Sequence, residues 1–179
     1  YSSMGGYGIV RINGGNVYAY NLDNMRGIPS SAIGGAGSSS STGTKGEVTI
    51  NGGNVYAFSA LGTAIGGGSS RTKQGGDAEI HITGGMVIAK SGTGAGIGGG
   101  SAYTTGGSTD TKYNGGTAIV DISGNPIIRT GSIGGGNTSA KNGKIGSASV
   151  NISGGDIQAQ FVMAAGAKET PEFTMSGGT

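Results

Sequence analysis

The sequence predicts an all-β protein wound as a parallel β-helix, or β-solenoid, and three observations carry that expectation. A short phrase recurs along all 179 residues. Inside each copy, apolar and polar residues alternate with the period of a strand, not of a helix. Glycine, at 43 residues, stands at fixed places between the apolar anchors. Collagen is excluded, because only three prolines are present and glycine does not recur at every third residue. Disorder fits poorly, since 34% of residues are hydrophobic, 11% are charged, and the apolar ones recur in place.

The first phrase is apolar-x-apolar-polar-Gly-Gly. It reads VRINGG (10–15), VTINGG (48–53), IHITGG (80–85) and VNISGG (150–155), with a degraded VDISGN (120–125) and a last FTMSGG (173–178). Its anchors Ile12, Ile50, Ile82, Ile122, Ile152 and Met175 are spaced by 38, 32, 40, 30 and 23 residues. The second phrase reads AIGGA (32–36), AIGGG (64–68), GIGGG (96–100) and SIGGG (132–136), with AAGA (164–167) left in the fifth unit. Length variation falls in the Ser/Thr/Gly/Lys stretches after it, which places long loops at one corner.

Each unit of about 23–40 residues then supplies three short strands and three corners. Val48 and Ile50 face inward with Thr49 opposite; after the Gly-Gly corner, Val55 and Ala57 face inward with Tyr56 opposite; Ile65 closes the turn. Val10, Ile12, Val17, Ala19 and Ile33 do the same in the first unit, and Ile80, Ile82, Val87, Ala89 and Ile97 in the third. The Gly-Gly corner supplies positive φ without strain. About five such coils, one strand spacing apart, make a rod of roughly 25 Å. The reading expects a single array over 1–179, uncapped at both ends and part of a longer protein, because MGGYG (4–8) resembles the close of one unit and FTMSGGT opens another. Open coil ends would then allow self-association.

The phrase V-x-I-x-GG-x-V-x-A followed by x-IGGG resembles the glycine-rich β-helical repeats of large surface, adhesin-like proteins from anaerobic Gram-positive bacteria. It is also similar to bacterial carbohydrate-binding β-helix domains. The resemblance implies a right-handed parallel β-helix, secretion, and adhesion or contact with a polysaccharide. Acidic clusters that hold calcium in such carbohydrate-binding domains have no counterpart here.

Charge and chemistry narrow the functional classes. Net charge is +2, and the eleven lysines and arginines form no run, so nucleic acid is not indicated. Cysteine is absent, and no apolar stretch approaches the ~18–20 residues of a membrane span. GAGIGG (94–99) fits a dinucleotide fingerprint in spacing, but no helix pattern follows it. His81, the one histidine, aligns with Arg11, Thr49, Asp121 and Asn151 at an outward position. Asp23, Asp77, Asp110, Asp121 and Asp156 fall at different repeat positions, so no carboxylate pair for polysaccharide cleavage emerges. The outward column Arg, Thr, His, Asp, Asn is too irregular for an ice-binding face. No cofactor and no catalytic residue is expected.

The aromatic residues offer the one candidate contact surface. Tyr18 aligns with Tyr56 and Tyr20 with Phe58, all outward on the second strand. The same alignment puts Ile88 and Lys90, then Ile128, then Gln158 and Gln160 beyond them. Such rings either stack on one another to stabilise the ladder or take a sugar or a protein partner. The polar column Asn13, Asn51, Thr83, Ser123, Ser153 serves the turns. Two functions follow as expectations. One is a non-enzymatic structural or adhesive segment of an extracellular, cell-surface protein or filament. The other is a carbohydrate-binding module contacting a polysaccharide or host-surface glycan through Tyr18, Tyr20, Tyr56 and Phe58. A polysaccharide-cleaving enzyme ranks behind both.

Overall fold

Alternating β-branched residues favour extended backbone with one side of each strand buried. In the computed structural model, which describes residues 6–22, 28–104, 112–162 and 172–179, such segments are parallel strands in two sheets. No helix occurs among the described residues.

The first sheet takes one strand from each unit. These are β1 (Gly8–Ile12), β4 (Gly46–Ile50), β7 (Ala78–Ile82), β10 (Ala118–Ile122), β12 (Ala148–Ser153) and β14 (Glu172–Gly177), hydrogen-bonded in that order. Register is kept from unit to unit, with one shift after Ile152, where Ser153 pairs with Gly177. Val10, Val48, Ile80, Val120, Val150 and Phe173 form one column. Ile12, Ile50, Ile82, Ile122, Ile152 and Met175 form the next inward one.

The second sheet takes two segments from each unit. β2 (Asn16–Asn21), β5 (Asn54–Ser59), β8 (Met86–Ser91), β11 (Ile127–Gly134) and β13 (Asp156–Val162) follow the Gly-Gly corner. The third segment of each of the first three units is two residues long: β3 (Ile33–Gly34), β6 (Ile65–Gly66) and β9 (Ile97–Gly98). It joins the same sheet because β11 runs straight through: Thr130 and Ile133 are three residues apart, where Ala89 and Ile97 are eight. Three strand columns therefore make two sheets. In the fifth unit Val162 pairs with Ile133 and occupies the third-segment place, while AAGA lies outside the described residues.

The inward columns of both sheets meet in one hydrophobic cluster that includes Ile50, Ile65, Ile80, Val87, Ile97, Ile122 and Ile133. It contains every expected inward residue of the second and third units, all buried. In the first unit Val10, Val17 and Ala19 are only half covered. The corner glycines Gly15, Gly53, Gly85 and Gly155 have φ of 81°, 92°, 86° and 97°, a left-handed region that costs other residues energy.

On its remaining side the interior is closed by backbone. A file of amides runs through the stack: Thr44 N–H donates to Ala36, Gly68 to Thr44, Gly76 to Gly68, Gly100 to Gly76, Gly116 to Gly100, Gly136 to Gly116 and Gly146 to Gly136, at 2.7–3.0 Å. It alternates between the last residue of each second phrase and the residue two before the next unit's first strand. A Cβ on Gly100 would lie 2.0 Å from the carbonyl oxygen of Gly68, so glycine here is a packing requirement.

Candidate functional site

The outward side of the second sheet brings the four aromatic residues together as expected. Tyr18 is paired in register with Tyr56, and Tyr20 with Phe58. Tyr18 and Tyr20 are 62% and 61% exposed, while Tyr56 and Phe58 are half-buried. The Tyr18 and Tyr56 rings lie 5.0 Å apart and within 7° of parallel. Rings side by side in one plane would have to be farther apart, so each covers part of a face of the other. This is the ring-on-ring ladder, with a contribution of ~0.5–1.5 kcal/mol beyond area burial. The outer face of Tyr18, together with Tyr20 and Phe58, is what remains for a partner.

The strip continues into polar residues. Ile88 and Lys90 pair with Tyr56 and Phe58, as the alignment expects. The next residue in the column is Arg129, paired with Ile88 and then with Gln158. Ile128, expected outward, instead pairs with Val87 and is fully buried. The cause is one extra residue: Ser123, Gly124, Asn125 and Pro126 separate Ile122 from Ile127, where three residues separate Ile82 from Met86. With a period of two, that single residue inverts every side chain that follows.

Arg129 makes a two-pronged ion pair with Asp156, at 2.7 and 3.2 Å. The guanidinium holds the Asp156 carboxyl below its ordinary value. Lys90, Ser91, Arg129, Thr130, Gly131, Gln158 and Gln160 line an open depression of about 650 Å³ that prolongs the aromatic strip. Gly131 leaves its floor clear, with no atom within 4 Å of where a Cβ would stand.

The outward side of the first sheet carries a network that counting aspartates alone overlooks. Glu47 and Glu79 are register partners, and Lys45 bridges them at 2.9 and 2.7 Å. Tyr7 donates its hydroxyl to Glu47, and this bond, with Lys45 beside it, holds the Glu47 carboxyl below its ordinary value. Lys45 does the same to Glu79 and is itself held protonated above the usual lysine range, chiefly by Glu79. His81 lies in the expected column between Thr49 and Asp121. Its two ring nitrogens approach Glu79 at 3.5 Å and Asp121 at 3.2 Å, and Asn151 donates to Asp121 at 3.0 Å. Among the described residues, no three His, Cys, Asp or Glu side chains are placed to hold a metal ion. Asp23 and Asp110 lie outside the described residues.

The polar column after the first strand forms a ladder: Asn51 donates to Asn13 at 2.8 Å and Thr83 to Asn51 at 3.0 Å. Asn54 donates to Asn16 at 2.9 Å across the corner. Tyr103 is engaged through its hydroxyl with the Leu61 carbonyl and Thr93, and Tyr113 lies under the Lys73 ammonium at 5.6 Å. Comparison of the chain with known protein families, with characterised proteins and with solved structures finds no match.

Proposed function

We propose that this chain is a right-handed parallel β-helix, a β-solenoid of about five coils, and that it serves as a non-enzymatic structural or adhesive segment of an extracellular bacterial surface protein. The observation that carries the reading is the register of six parallel strands, each from the next unit, in the first sheet, which holds throughout but for one shift after Ile152. A coil that repeats with fixed register adds length without changing cross-section, which is what a stalk or filament segment requires. Duplicating residues 46–77 tests this. Small-angle scattering should show an unchanged cross-section and a rod longer by one strand spacing, ~4.8 Å. A broadened or collapsed particle would sink the reading.

A second reading rests on a separate observation, the continuity of the aromatic strip with the polar depression. Tyr20, Phe58 and the free face of Tyr18 offer apolar platforms to pyranose rings, and Lys90, Gln158 and Gln160 offer hydrogen bonds to hydroxyls. On a glycan array the wild-type chain should retain a polysaccharide that the Tyr20→Ala/Phe58→Ala variant releases. Equal signals from the two proteins would remove the strip as a binding surface.

A further inference from the structure

The near-neutral net charge conceals a segregated surface. Six carboxylates fall among the described residues, and Glu47, Glu79, Asp121 and Glu172 stand outward on the first sheet. Nine lysines and arginines fall there too, and five of them sit in the insertions that follow the second phrase: Arg71, Lys73, Lys112, Lys141 and Lys144. Asp110 belongs to the same insertions by sequence, so the three stretches 69–76, 101–116 and 137–146 carry five positive charges against one negative. Sequence order hides this, because the lysines are separated by tens of residues.

The described parts of the insertions lie over one another. Ser70, Ala102 and Thr138 are bridged in parallel from unit to unit. Gly75 N–H donates to the Asn114 carbonyl at 3.0 Å, and Gly115 N–H to the Lys144 carbonyl at 2.9 Å. Lys73 reaches across to the Tyr113 ring, and Thr138 donates to the Tyr113 carbonyl at 2.7 Å. Lys73, Lys112 and Lys141, one from each of the three insertions, are all exposed. Among the described carboxylates only Asp77 adjoins these insertions, and it accepts from the Thr117 backbone and hydroxyl at 2.8 Å.

We propose that this basic corner binds a linear acidic polysaccharide, one whose carboxylate or sulfate groups repeat along the chain. Cations gathered on stacked loops suit a linear polyanion that can cross several of them, and charge of one sign concentrates such a partner at the surface. The exposed hydroxyl and amide side chains among the lysines, Ser139, Asn137 and Gln74, suit sugar hydroxyls. Single-stranded nucleic acid is the poorer fit, because it calls for open aromatic faces, and Tyr113 is under Lys73 while Tyr103 is tied to Leu61 and Thr93; duplex DNA, which needs only cations, is a competitor in the test. The proposal is independent of the aromatic strip, which lies on the second sheet.

The test compares the wild-type chain, the Lys73→Gln/Lys112→Gln/Lys141→Gln variant and the Tyr20→Ala/Phe58→Ala variant on polygalacturonate, heparin, neutral dextran and duplex DNA at low salt. Circular dichroism confirms that each variant is folded. The wild-type chain should bind polygalacturonate, heparin or both, and not dextran. The lysine variant should lose at least about tenfold in affinity, in line with fewer released counterions, and binding should fall with salt. The aromatic variant should bind like wild type. Preference between the two polymers assigns carboxylate or sulfate. No binding to either polyanion, unchanged binding by the lysine variant, or tighter binding to DNA than to both glycans would overturn the proposal.

Discussion

Glycine has two separate roles here, and single substitutions tell them apart. At Gly100 the backbone is ordinary in φ but a Cβ would strike the Gly68 carbonyl, whereas at Gly131 nothing stands within 4 Å. Gly100→Ala should lower stability by about 3 kcal/mol, the upper end of overpacking. Gly131→Ala should change it by no more than about 0.5 kcal/mol. Urea melts of the two variants give the comparison, and equal midpoints would refute the packing account. The inward valines and isoleucines were legible in the sequence because alternation alone places them. Ile128 was not, since one inserted residue at Asn125–Pro126 is invisible to a pattern that counts from the glycines. The backbone file was only half legible: the doubled glycines before β7 and β10 (75–76 and 115–116) signal close approach, but not what they approach.

Paired strands set the electrostatics of the first sheet. Glu79 is held below its ordinary pKa by Lys45, so its contribution is complete above the unfolded carboxylate value and disappears as pH falls through the depressed folded one. Glu79→Gln should therefore melt at a lower temperature than wild type at pH 7. The gap should close once the pH has fallen below the depressed folded value as well. A gap that persists unchanged in acid would show that Glu79 acts through packing instead. The effect is small, as expected of an ion pair a third or more exposed. This cluster was missed in the sequence because its members come from different repeat positions, Lys45 before a strand and Glu79 within the next. Register alone brings them together. The aromatic partners Tyr18 and Tyr56 were legible because they share a repeat position, although their mutual overlap leaves less ring surface open than the sequence suggests.

Across the whole molecule, the sequence anticipated an all-β chain of parallel strands. It did not anticipate that β11 would fuse the second and third segments into one sheet, which depends on a unit five residues shorter at that bend. Nor did it reveal the charge separation between strand faces and loops, which needs the units to be superposed. The amide file has a further consequence. Its bonds Thr44 to Ala36, Gly76 to Gly68, Gly116 to Gly100 and Gly146 to Gly136 each join the entrance of an insertion to its exit. These four excursions of the chain are thus pinched shut at their necks, whether the detour runs from 68 to 76 or from 100 to 116. Doubling such a detour adds only ~0.6 kcal/mol of closure entropy. Eight Gly/Ser residues placed between Ser40 and Ser41 should accordingly cost about that much in a urea melt, and a loss of several kcal/mol would contradict it. The neck lets the outer contour of the protein be rewritten in length and charge while the winding beneath it stays the same.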